Sequence, residues 1–99
     1  MRRLTTVAAL AIGWTLAVTA SASAAQGWVT LWFSDGRAYA LENPAEGCHP
    51  VDSAVRAYNN TNSVVMLFPE GDCQGPRFYM SPGAVDWLPF TAASIYVYQ

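Results

Sequence analysis

Residues 64–80 read VVMLFPEGDCQGPRFYM, a Ser-Pro-Gly-Ala turn follows, and the chain closes through AASIYVY at 92–98. Apolar residues do not recur here at the 3.6-residue period of an amphipathic helix, and glycine or proline interrupts every run within a few positions. Such a stretch folds only as short strands joined by tight turns. An apolar strand at 64–68 with both faces covered runs into a corner at Pro69-Glu70-Gly71-Asp72, and residues 76–80 carry the chain back. Proline then glycine at positions 82 and 83 is the pattern of a type II turn, whose second central residue needs positive φ. Residues 85–90 are a loosely apolar connector with room for a short helical turn. Residues 93–98 alternate, with Ile95 and Val97 on one face and Tyr96 and Tyr98 on the other.

The earlier part of the chain has the same grammar. Val29, Leu31 and Phe33 alternate with Trp28, Thr30 and Trp32, a strand signal. Asp35-Gly36 then predicts a hairpin with a type I′ turn, and residues 37–42 form the returning strand, with Tyr39 and Leu41 on one face. Asn43-Pro44-Ala45-Glu46-Gly47 interrupts it. Residues 48–52 read as irregular, 53–58 as regular, and Asn59-Asn60-Thr61-Asn62 as a polar turn. Asn59-Asn60-Thr61 also fits the glycosylation sequon, although turn chemistry already explains these residues.

The segment that precedes these strands is of another kind. A basic MRR, an apolar run over 7–18 and small residues through Ala22-Ser23-Ala24 predict a secretory signal peptide over 1–24. The run of about a dozen residues is short of the roughly 20 that span a bilayer. Arg2-Arg3 leaves the general and twin-arginine export routes both open. Residues 25–99 would form one secreted domain, small enough to need a staple beyond its core. Cys48 and Cys73, the only cysteines, supply it: in an oxidising compartment they are expected to pair, closing a loop of 25 residues and stabilising the fold by about 3.5 kcal/mol.

Loss of Arg2 and Arg3 takes the formal net charge from −2 to −4. An acidic domain with only Arg37, Arg56 and Arg77 as cations has no basic cluster for nucleic acid or anionic lipid. No membrane association is expected once the leader is removed.

The two parts also superimpose: each has a strand, a glycine-containing turn, a returning strand, a proline-containing loop and a last strand with a serine near its start (Ser53 and Ser94). This arrangement resembles the βγ-crystallin superfamily, whose motif is an aromatic, four residues, an aromatic, one residue and glycine, with a later serine that fastens the folded hairpin. Phe68, Cys73 and Gly75 occupy those three places and Ser94 the serine's; in the first half Ser34 and Leu41 stand where an aromatic and glycine belong. The resemblance implies an all-β sandwich of two Greek-key motifs with one disulfide. It also implies calcium sites, but the residues aligned ahead of Ser94 (Pro89, Phe90, Thr91, Ala92 and Ala93) carry no carboxylate or amide, and those ahead of Ser53 carry one, Asp52. No metal and no cofactor is therefore expected.

Catalysis has little to stand on. His49, Asp52 and Ser53 are too close along the chain to form a hydrogen-bonded triad, and one histidine makes no zinc site. The resemblance implies instead a monomeric, non-catalytic binding module, similar to the γ-crystallin-like bacterial peptidase inhibitors, with a secreted protease as partner. Its contact loop would be the constrained corner at Pro69, Glu70, Gly71, Asp72 and Gln74, although the same corner could simply fold the hairpin. The alternative is a protein directed at a cell-surface glycan, like the killer-toxin-like proteins of that superfamily. Trp28, Trp32, Trp87, Tyr96 and Tyr98 would then contact the ligand, although most aromatics in so small a domain are expected to pack its core. A structural shell protein is a third reading, one that needs no site.

Overall fold

A computed structural model describes residues 24–98. The expected leader, 1–24, lies outside the described residues except for Ala24. The described chain is all-β, as expected: β1 (Gly27–Phe33), β2 (Ala38–Glu42), β3 (Gly47–Thr61), β4 (Val65–Phe68), β5 (Phe78–Met80) and β6 (Val85–Val97), with one 3-10 turn at Gly71–Cys73. The strands form a single antiparallel sheet in the order β2-β1-β3-β6-β4-β5.

The two long strands organise this sheet. Between Pro50 and Ala54 the register of β3 on β6 shifts, and Ser53 takes positive φ at 57°, the mark of a bulge that bends a strand. Before the bulge, Cys48 and His49 pair with Tyr96 and Ile95 near the end of β6. Beyond it, Arg56, Ala57 and Tyr58 pair with Trp87, Asp86 and Val85 on one side and with β1 on the other. Each long strand thus serves two neighbourhoods, β2-β1-β3-β6 at one end and β3-β6-β4-β5 at the other. The sheet closes over one cluster in which Val29 and Leu31 of β1 meet Val65 and Leu67 of β4, although β3 and β6 separate those strands in the ladder.

Several local expectations change. Residues 48–52 are strand with a register slip, and 85–90 are strand throughout, because β3 and β6 pair on each other through 48–50 with 94–96 and through 56–58 with 85–87. The Asp35-Gly36 hairpin forms, but its turn is not type I′. Asp35 is not among the residues with positive φ, Gly36 is at +93°, the Gly36 N–H donates to Phe33 O at 3.0 Å, and the Phe33 N–H donates to Arg37 O at 2.8 Å. This is a three-residue loop with a glycine bulge. The turn at 81–84 matches its expectation, with Gly83 at +90° and the Ala84 N–H donating to Ser81 O at 3.0 Å.

Asn59, expected in a polar turn, is in β3 and wholly buried. Its Nδ2 donates to Ser63 O at 2.8 Å and Met80 O at 2.9 Å, and its Oδ1 accepts from Thr61 Oγ1 at 2.6 Å. Burial and two occupied amide protons leave no opening for a glycan at this sequon.

Candidate binding surfaces

The corner after β4 is built on Phe68, which is buried and carries the Arg77 guanidinium 5.6 Å above its ring. The chain then coils through the 3-10 turn with Asp72 (φ 57°) and Cys73 (φ 55°) in the left-handed region. Three ties hold it there. Ser94 Oγ, buried in β6, donates to Glu70 O at 2.6 Å and accepts from the Cys73 N–H at 2.9 Å. Cys73 is bonded to Cys48 of β3, with Cα atoms 6.0 Å apart. Gly75, at φ +95°, lies so close to Pro69 that an added Cβ would come within 3.3 Å of its ring. Phe68, Cys73, Gly75 and Ser94 therefore meet in one place, while Glu70, Gly71, Asp72 and Gln74 are exposed around it and Pro69 is half-buried.

Because Ser94 satisfies both a backbone donor and a backbone acceptor, Ser94→Ala leaves each without its partner. We expect a loss of about 2 kcal/mol, read as a lower urea midpoint, with Ser94→Thr intermediate. An unchanged midpoint would mean that water replaces the hydroxyl.

A second feature is a cleft of about 420 Å³ where the β1–β2 hairpin, through Leu31, Phe33, Tyr39 and Leu41, faces Pro50 and Val51 of β3. Arg37 stands at its mouth, 2.6 Å from Asp35, 3.5 Å from Asp52 and 5.2 Å from the centre of the Phe33 ring. The Arg37 backbone N–H and guanidinium hold the Asp35 carboxyl below the usual carboxylate range. Asp52 is thus turned toward Arg37, and the His49 Nε2–H donates to Ala45 O at 2.7 Å. His49, Asp52 and Ser53 do not assemble a triad. No group of three or more His, Cys, Asp or Glu side chains converges among the described residues.

The third feature is the outer face of the β2-β1-β3-β6 neighbourhood. In β1, Val29 and Leu31 point into the core, so Trp28, Thr30 and Trp32 point out. Register then sets Trp32 beside Arg56 and Arg56 beside Trp87, across three strands. The Arg56 guanidinium carbon is 4.7 Å from the Trp32 ring centre and 5.3 Å from that of Trp87. One step along, Thr30, Tyr58 and Val85 form the next row; Asn60 and Trp28 follow. On the β2 side Trp32 is flanked by Ala38, too short to cover an indole.

All three tryptophans among the described residues occupy this face, with Trp87 67% and Trp28 44% exposed. The expectation that aromatics mostly pack the core does not hold for them: Phe68 alone of the aromatics is among the largest fully buried side chains. Tyr96 and Tyr98 lie on the other neighbourhood, edge to face at 5.2 Å. The i, i+4 spacing of Trp28 and Trp32 was a legible sign that they share a strand face. Nothing in the sequence placed Arg56 between Trp32 and Trp87.

The chain matches no family model, no curated protein and no solved structure.

Proposed function

We propose that residues 25–99 are an exported, non-catalytic module that binds a glycan through the face bearing Trp28, Trp32 and Trp87. The observation that carries this reading is the segregation of all three tryptophans of the described residues onto one exposed sheet face. Large apolar rings left in water raise the free energy of the free domain and are retained where a ligand covers them. Flat indoles on a rigid sheet suit the apolar faces of sugar rings, and Thr30 and Asn60, interleaved among them, offer hydrogen bonds to hydroxyl groups. Export is supported by a disulfide in a domain this small.

The architecture is read as two Greek-key motifs of the βγ-crystallin kind. What supports it is the exchange between halves: the start of β3 joins β6, β4 and β5, while the start of β6 joins β3, β1 and β2. The serine clasp on the second corner adds to this. The first half has no equivalent clasp among the described residues.

A second reading, a peptidase inhibitor acting through Pro69, Glu70, Gly71, Asp72 and Gln74, is favoured by the rigidity of that corner, since prior ordering reduces the entropy lost on binding. Its backbone weighs against a substrate-like loop. Left-handed φ at Asp72 and Cys73 gives a coiled knob, whereas a strand-like ligand needs extended φ and ψ.

Co-sedimentation of the oxidised domain with insoluble polysaccharides separates the two. We expect retention that falls at least fivefold in Trp87→Ala and is unaffected by Asp72→Ala. Stoichiometric inhibition of a secreted protease, lost in Asp72→Ala and kept in Trp87→Ala, would replace the glycan reading with the second one.

A further inference from the structure

We propose that the aromatic face selects uronic-acid glycans, with Arg56 as the residue that reads the sugar carboxylate. The inference rests on the glycan reading above and adds a charge requirement to it.

The three arginines of the domain are not equivalent. Arg37 lies between Asp35 and Asp52 on a solvated rim, and Arg77 is an exposed residue over Phe68. Arg56 is half-buried between two indoles, makes no ion pair or hydrogen bond with any described residue, and has its Nε shielded from solvent without a partner. Packing a guanidinium against two indoles explains how a cation is tolerated there. It gives the terminal N–H groups no acceptor from the described residues, and an anion at the outer edge of the guanidinium would supply one, meeting the two terminal nitrogens rather than the shielded Nε.

The surroundings decide what kind of anion fits. With Trp32 and Trp87 on its flanks, the guanidinium is reached between two stacking platforms, so a ligand carboxylate must be borne by a ring that itself lies on an indole. The centres of β1 and β6 are two strand spacings apart, about 10 Å, and Arg56 stands midway between them. A uronic acid meets this condition because its carboxylate is attached directly to the pyranose ring, at the rim of the stacked face. A fork of parallel N–H groups then meets two carboxylate oxygens. The flanking indoles exclude water from the pair and so strengthen it. A single arginine in a domain of net charge −4 does not hold a dense polyphosphate, which requires a row of cations.

The test uses one sugar in two charge states: a galacturonic-acid oligosaccharide and its methyl ester, titrated into the oxidised mature domain with tryptophan fluorescence and calorimetry as readouts. The acid is expected to bind about tenfold tighter than the ester, the scale of one charge-assisted hydrogen-bonded pair. Added salt should narrow the gap. Arg56→Gln should bring the acid down to the affinity of the ester, Arg56→Lys should retain part of the preference, and Trp87→Ala should weaken both ligands alike. Equal binding of acid and ester by the unaltered domain overturns the charge requirement and leaves a neutral-glycan platform standing. Binding of neither, with retention on neutral polysaccharides, does the same. Failure to bind any glycan overturns both, as does a concentration-dependent dimer that Trp87→Ala dissolves, since a second copy would then cover the face.

Discussion

Reduction of the Cys48–Cys73 disulfide should lower the unfolding free energy of residues 25–99 by about 3.5 kcal/mol, the loop-closure value for two cysteines 25 positions apart. For a domain of this size that corresponds to a melting temperature roughly 15–25 °C lower. The domain as a whole is expected to hold only about 4–11 kcal/mol, so the reduced form stands near the edge of folding at body temperature. The native state loses something as well. The bond joins the knob at Gly71–Cys73 to the start of β3, and without it Ser94 supplies, among the described residues, the only hydrogen bonds from β6 that anchor the two left-handed residues, beside the close packing of Gly75 on Pro69. Ser94→Ala should therefore destabilise the reduced protein more than the oxidised one, a non-additivity expected of groups that share one task. Urea titrations with and without reductant, on the native chain and on Ser94→Ala, measure all four corners of the cycle. A reduction effect under about 1 kcal/mol would show that the unfolded chain is already constrained there and that the sulfurs are not what keeps the domain folded.

The other large effect is at Asn59. Its side chain can make four hydrogen bonds, and all four are made: Ser63 O and Met80 O accept from Nδ2, while Oδ1 accepts from Thr61 Oγ1 and, at 3.2 Å, from the Thr61 N–H. Its backbone donates to Ala84 O at 2.8 Å and accepts from the Gly83 N–H at 2.7 Å. One residue thus joins β3, the link to β4, β5 and the turn before β6. Asn59→Ala leaves several buried groups without partners and is expected to cost about 4 kcal/mol. Asn59→Asp should be worse at neutral pH, because an anionic oxygen would face two carbonyl oxygens where the amide donated. Burial and those carbonyls raise the folded-state pKa of a carboxyl at this position. The folded form therefore takes up its proton first, and the deficit relative to the native chain should shrink as pH falls through that pKa. Urea midpoints at neutral and acid pH read both variants. An Asn59→Ala variant within 1 kcal/mol of the native chain would mean that water enters and takes over the network.

Both effects bear on the proposed ligand face. Asn59 shares β3 with Arg56 and Tyr58, on the opposite side of the same strand. Its bonds hold the end of β3 in the register that sets Arg56 between Trp32 and Trp87. The disulfide acts at the far end of that strand. The binding face is in this sense an outcome of the core: its side chains are solvent-facing, but their spacing belongs to the backbone beneath them.

How far the residues alone could lead differs from one feature to the next. Alternation at 28–33 and 93–98, the apolar run before Pro69 and the Pro82-Gly83 turn were readable because strand period and turn chemistry are local properties of the chain. The pairing of Cys48 with Cys73 followed from having only two cysteines. The serine at position 94 was readable through a resemblance, and the structure sets its hydroxyl beneath the corner. The misread segments share one cause. Residues 48–52, 59–61 and 85–90 contain proline, asparagine or mixed polarity that favours turns in isolation, and each became strand because a distant segment paired with part of it: 48–50 with 94–96, 59–61 with 27–29 and 85–87 with 56–58.

Taken by itself, the sequence determined that the chain would be all-β, sulfur-stapled and acidic, since periodicity, cysteine number and charge need no knowledge of neighbours. Only the tertiary structure decided that Trp32, Arg56 and Trp87 would lie in one row and that Asn59 would be buried. Cross-strand register is set by the sum of pairings over the whole sheet, and residues 32, 56 and 87 have no relation to one another until β1, β3 and β6 lie side by side.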